Sequence, residues 1–142
     1  MDLGSGAGFP GLVAAIVARA AGLSLEVHLV ESNARRVAFL REVNRQTKAG
    51  AIIHDSRIEA LDAFAADAVT ARALAPLDRL LGLAEPFLGG SSVCIFLKGQ
   101  GVEGELTEAR KIWTMDVEKV SSRSDPSGTI LALRKVARRH AR

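Results

Sequence analysis

Four glycines crowd the first eleven residues, Met1-Asp2-Leu3-Gly4-Ser5-Gly6-Ala7-Gly8-Phe9-Pro10-Gly11, and this stretch carries the plainest chemical signal in the chain. Glycine lets backbone N–H groups approach a ligand in conformations that side chains forbid, and Pro10 can open a helix where its missing N–H costs nothing. Two acids flank the loop: Asp2 before it, and Glu31 at the end of the next apolar segment. Gly6-Ala-Gly-Phe-Pro-Gly11 satisfies the G-x-G-x-x-G pattern, with Glu31 near the distance of an acid that binds ribose hydroxyls, so a dinucleotide such as NAD is formally allowed. A pyrophosphate, however, needs helix N–H groups free of competing negative charge, whereas a cationic sulfonium is drawn to an acid. Asp2 therefore favours S-adenosylmethionine, with NAD as the alternative.

Two cations form the second constellation. Arg72 closes the strand-like segment 67–72, and Lys98 follows the apolar run 93–97. In open α/β sheets the carboxyl ends of the strands face the ligand crevice, which makes both residues candidate catalytic groups. No Ser-His-Asp or Cys-His set, no converging pair of carboxylates and no Asn-Pro-Pro-Tyr clamp accompanies them. The histidines at 28, 54 and 140 lack ligands at metal spacing, so no metal is expected.

The elements needed to position these groups can be read from hydrophobic periodicity. A helix from Pro10 to Ala21, stopped at Gly22, is apolar nearly all round except for Arg19 and is expected to be covered on most sides. A strand at 25–31 makes this a βαβ unit. Ser32 or Asn33 caps the next helix, with Val37, Leu40 and Val43 or Asn44 inward. Arg41, Arg45 and Lys48 form a positive stripe, read as a solvated face or an RNA contact. A strand at 51–55 precedes Ser56-Arg-Ile-Glu59, which has capping-box spacing. After the strand at 67–72, Leu77, Leu80, Leu81, Ala84 and Leu88 mark a helical core stripe, and Gly89-Gly90 turns the chain. The buried strand at 93–97 leads to a helix over about 103–113, acidic early and basic late as the helix dipole favours. Strands at 116–121 and 129–133, joined by the turn at 123–128, pair antiparallel.

Composition sets the bounds. At 142 residues with 48% hydrophobic content, the chain reads as one domain, 1–142, able to build a single core. A net charge of +3 suits a polyanionic partner without demanding one. The residues 134–142 form a basic tail, expected either to be solvated or to add affinity for RNA phosphates. Cys94 alone excludes an internal disulfide, and no stretch approaches a membrane span of roughly 20 apolar residues. A cytoplasmic, monomeric protein is expected.

These motifs resemble a known family. Asp2-Leu-Gly-Ser-Gly-Ala-Gly-Phe-Pro-Gly11 is similar to motif I of the bacterial RsmG (GidB) family, the small-subunit ribosomal RNA guanine-N7 methyltransferases. Further matches lie at Glu31-Ser-Asn-Ala-Arg-Arg-Val-Ala-Phe-Leu-Arg41, Ser56-Arg-Ile-Glu59, Thr70-Ala-Arg-Ala-Leu74, Phe96-Leu-Lys-Gly99 and Ile130-Leu-Ala-Leu-Arg-Lys135. The resemblance implies a Rossmann-like class I methyltransferase fold, α/β with a mostly parallel sheet and an antiparallel last strand. It implies S-adenosylmethionine held by Asp2, Gly4, Gly6, Phe9 and Glu31, backbone at Ile58 and Glu59 beside the adenine, and Arg72 near the methionine end. The implied substrate is 16S ribosomal RNA in the small subunit. Guanine N7 has an in-plane lone pair, so methyl transfer needs alignment and charge complementarity rather than a general base. Arg72 and Lys98 would hold the base O6 or nearby phosphates. Family members carry an N-terminal helical region and a full first strand ahead of motif I. The sequence here begins at that strand's last residues, so a truncated first strand, low stability and a non-catalytic cofactor-binding fragment are also expected alternatives.

Overall fold

The computed structural model describes residues 1–140; Ala141 and Arg142, the end of the basic tail, lie outside the described residues. The described residues pack as two compact units, Met1–Asp62 with Thr70–Arg72, and Ala63–Val69 with the residues from Ala73 on.

The first unit contains β1 (Asp2–Leu3), α1 (Gly11–Ala20), β2 (His28–Glu31), α2 (Ala34–Thr47), β3 (Ile52–Asp55) and the last three residues of β4 (Ala66–Arg72). All its strand pairs are parallel: Asp2 and Leu3 sit opposite Leu29 and Val30 on one side and Thr70 and Ala71 on the other, and β2 pairs with β3 from His28↔Ile52 to Glu31↔Asp55. The order is β3-β2-β1-β4. β2 starts three residues later than the pattern at 25–31 predicts, because its partner β3 begins at Ile52, opposite His28.

Local chemistry explains the helix ends. At the end of α1, Gly22 has φ +68°, Leu23 N–H bonds Ala18 O and Gly22 N–H bonds Arg19 O. Those two bonds make a Schellman stop, for which glycine is suited. α2 ends in the same bonds, Ala49 to Asn44 and Lys48 to Arg45, but with Lys48 at φ +52°. Its start is capped by Asn33, whose Oδ1 accepts from the N–H groups of Arg35 and Arg36. Leu12, Ala15, Val27, Leu29 and Leu40 form the core of this unit. The expected cover over α1 is incomplete among the described residues: Val13 and Val17 are 38% and 59% exposed.

One local expectation fails here. Ser56 and Glu59 form no capping box: the segment is a single 3-10 turn, Ile58–Ala60, with no side-chain cap, and Ser56 Oγ donates to Arg57 O instead. Too few turns follow for reciprocal capping to satisfy orphan N–H groups. In the positive stripe, Glu42 accepts from Arg45 through both carboxylate oxygens, so one of its three cations is paired.

The second unit contains the start of β4, then α3 (Leu77–Ala84), β5 (Leu88–Lys98), α4 (Val102–Ile112), β6 (Trp113–Ser121) and β7 (Thr129–Arg138). Its order is β4-β5-β7-β6, with β7 antiparallel to both β5 and β6. Leu77, Leu80, Leu81 and Ala84 are buried as their spacing predicts, but Phe87, not Leu88, fills the next core position, because a 3-10 turn at Glu85–Phe87 ends the helical register. Gly89 and Gly90 do not turn the chain; they lie within β5, where Ser92 Oγ accepts from Gly89 N–H and donates to Ala66 O. β7 runs five residues beyond the predicted strand. It absorbs the front of the basic tail, where Arg134 pairs with Glu118, Lys135 with Asp116 and Arg138 with Glu85. Those residues are folded and charge-compensated, unlike a solvated tail. Among the described residues no helix is long and apolar enough to cross a membrane.

Candidate cofactor site

The glycine loop joins β1 to α1 within the first unit. Gly4, Gly6 and Gly8 have φ of +63°, +58° and +92°, conformations that side chains rarely adopt. Gly11 is needed for a different reason: a Cβ there would lie 2.5 Å from Asp2 Oδ2 and 2.6 Å from Leu29 Cδ2. The loop is pinned at its start by Ser5 N–H to Val30 O.

Asp2 is 1% exposed and faces inward. Its Oδ2 accepts from Ser5 Oγ at 2.7 Å and Gly11 N–H at 3.1 Å, and its Oδ1 accepts from Thr70 Oγ1 at 2.7 Å. Burial pushes its carboxyl above the ordinary carboxylate value, against the lowering effect of the bonds from Thr70, Ser5 and Gly11. Asp2 therefore acts on the loop's shape and on the N-terminus of α1. Ser5 and Thr70 hold it, and neither stood out in the sequence. Thr70 could have been found only from its register opposite Asp2.

Glu31 ends β2 with its side chain nearly buried. Oε1 accepts from Gly6 N–H at 3.0 Å, while Oε2 accepts from Ser32 and Asn33 N–H at 2.8 and 2.9 Å. A carboxylate thus rests on the middle of the glycine loop and a second one on its end. The 3-10 turn carrying Ile58 and Glu59 follows β3, with Ile58 half-buried and Glu59 exposed. Phe9 is 54% exposed, and the guanidinium carbon of Arg72 stands 5.7 Å from its ring centroid.

Lys98 lies in the second unit and is not surface-facing. Its side chain is 7% exposed, with Nζ 2.8 Å from Glu105 Oε2 and donating to Ala75 O at 2.7 Å. Glu105 Oε2 also accepts from Leu77 N–H at 2.9 Å. The pair braces residues 75–77, just past Arg72 in the chain. Glu105, seven residues beyond Lys98 on α4, was unremarkable in the sequence beyond its place in an acidic first turn.

A family model described as rRNA small subunit methyltransferase G, GidB, matches residues 1–131. The chain belongs to this family. Ribosomal RNA small subunit methyltransferase G of Paramagnetospirillum magneticum is 52% identical over 141 residues, covering 99% of this chain and 66% of the relative. The protein of the same name from Rhodospirillum rubrum is 54% identical over 138 residues, covering 97% and 66%. The chain thus spans about two thirds of the length of these GidB-family relatives. Solved structures share its fold at low identity. The putative methyltransferase yhhF from Escherichia coli has a TM-score of 0.68 at 19% identity, covering 94% of this chain and 75% of that one. Aeropyrum pernix fibrillarin, solved with natively bound S-adenosyl-L-methionine, has a TM-score of 0.69 at 12% identity, covering 93% and 64%. The architecture is that of class I methyltransferases, α/β with a mostly parallel sheet and an antiparallel final strand pair.

Proposed function

We propose that the chain is the methyltransferase core of an enzyme that moves a methyl group from S-adenosylmethionine to N7 of a guanine in 16S ribosomal RNA, as a monomer in the cytoplasm. The observation that carries the cofactor choice is the pair of carboxylates on the glycine loop. Glu31 takes Gly6 N–H and Asp2 takes Gly11 N–H, so the donors a pyrophosphate would seek already face negative charge. A sulfonium with an adenosine and no phosphate is compatible with that field. This argues against NAD, despite the matching glycine pattern.

The residues fit such a ligand. Gly4, Gly6 and the backbone of Phe9 would hold it together with Glu31 and the backbone at Ile58 and Glu59, while Asp2 keeps the loop in shape. When bound, the cofactor supplies an activated methyl group. Guanine N7 offers its in-plane lone pair, so the chain's task is alignment rather than proton removal. Arg72, exposed at the end of β4, is the cation available to the base or its phosphates. Lys98 contributes by fixing Ala75, three residues further on. The substrate assignment is supported by the names of the relatives and the family motifs.

The test is transfer of isotopically labelled methyl from S-adenosylmethionine to small ribosomal subunits that lack the modification, followed by base analysis. Label in 7-methylguanine supports the proposal. Label in another base, or none while S-adenosylhomocysteine still binds, would instead identify a different enzyme or a cofactor-binding fragment.

A further inference from the structure

The following rests on the guanine-methylation reading. Phe9 is the sole large side chain between Gly4 and Gly11, and more than half of it is exposed. Gly8 beside it packs closely on α1, where a Cβ would lie 2.7 Å from Leu12 Cβ. Arg72, also exposed, stands over the ring. Among the described residues Arg72 is in none of the ion pairs that hold cations such as Arg36, Arg45 and Arg138. An exposed cation–π contact adds only about 0.5–1 kcal/mol, which is a weak structural reason to leave a phenylalanine in water. Aromatic rings and guanidinium planes are, however, the surfaces on which unstacked RNA bases are held.

We infer that the Phe9 ring and the Arg72 guanidinium are the two faces of a slot for the target guanine, taken as a single-stranded or flipped-out base of RNA. Stacked groups sit about 3.5–4 Å apart, so a base between these two needs a span of about 7 Å. The guanidinium now stands 5.7 Å from the ring, and a shift of about 1–2 Å by an exposed arginine opens the slot. Stacking also suits the reaction better than edge recognition. An arginine forked onto O6 and N7 would occupy the lone pair that must attack, whereas a stacked arginine leaves the N7 edge free. In the transfer the S–CH3 bond breaks, the N7–CH3 bond forms, and the positive charge moves from sulfur to the guanine ring with no proton released. The cationic product is then repelled by Arg72, which favours its release.

The probe is a fluorescein-labelled single-stranded RNA oligonucleotide containing one guanine, measured by anisotropy with S-adenosylhomocysteine saturating; affinity for S-adenosylhomocysteine itself is measured separately by calorimetry. Phe9→Ala and Phe9→Leu are expected to weaken RNA binding by about tenfold, Phe9→Trp to retain it, and all three to keep cofactor affinity within about twofold. Arg72→Ala is expected to weaken RNA binding by a similar factor. RNA affinity unchanged in Phe9→Ala would overturn the slot. So would a loss of cofactor affinity matching the loss for RNA, which would move the ring to the cofactor, or no RNA binding by a wild-type chain that holds cofactor. Failure of the wild-type chain to bind S-adenosylhomocysteine at all would instead remove the cofactor reading itself.

Discussion

Thr70 Oγ1 donates a 2.7 Å hydrogen bond to Asp2 Oδ1 across 68 residues of sequence, so the residue that shapes the glycine loop is held from β4. Because Asp2 is buried and accepts three bonds, losing one leaves a charged group short of a partner in a low-dielectric setting. Thr70→Val is expected to cost about 1–3 kcal/mol, read by chemical denaturation. It is also expected to weaken S-adenosylhomocysteine binding, since the same bond fixes the loop. Stability and affinity both unchanged would remove Thr70 from the positioning network.

Asp2 also gives a pH dependence. Its folded-state value is raised above 3.8, chiefly by burial, so ionising it costs the folded state. This contribution is neutral below the unfolded value. It turns against folding as pH climbs from about 3.8 through the raised folded value, and is constant above that. Asp2→Asn lacks the term; its amide can face Thr70 while its carbonyl accepts from Ser5 and Gly11. Relative to the variant, the wild type is expected to lose stability as pH rises from about 4 into the raised range and then to level off. A difference that grows in the opposite direction would contradict the burial effect.

Lys98 and Glu105 make the next case. Lys98→Met removes the ammonium that holds Ala75 O and Glu105. Glu105 is 31% exposed, so the expected cost is about 1–3 kcal/mol, below the figure for breaking a fully buried pair. A thermal unfolding midpoint equal to the wild type would show that the brace carries no stability.

Cys94 offers a simple control on the core. Burial pushes its thiol up to about 12, and the side chain is fully covered. It is expected to resist a thiol reagent at pH 8 in the native state and to react at once in denaturant. Rapid labelling of the native chain would mean that β5 opens.

Features set by near neighbours in sequence were legible. The glycine loop, the Gly22 stop, the Asn33 cap and the core stripe of α3 each depend on residues within a turn or two. The acidic start and basic end of α4 did too. What was not legible depends on partners remote in sequence. Thr70 gains its role from register opposite Asp2, and Lys98 is buried by Glu105 and Ala75. The front of the basic tail becomes strand because Glu118, Asp116 and Glu85 meet it from elsewhere. Gly89-Gly90 reads as a turn by type, yet extends because Ser92 bridges Gly89 and Ala66.

The most direct measurement is the thermal shift of the folded chain with S-adenosylhomocysteine and, separately, with NAD. Carboxylates on Gly6 and Gly11 N–H are expected to admit the first and reject the second. Saturating S-adenosylhomocysteine at about 100 times its Kd should add about 2.7 kcal/mol of stability and raise Tm, while NAD at the same concentration leaves Tm unchanged. Equal stabilisation by NAD would contradict the electrostatic assignment of the glycine loop.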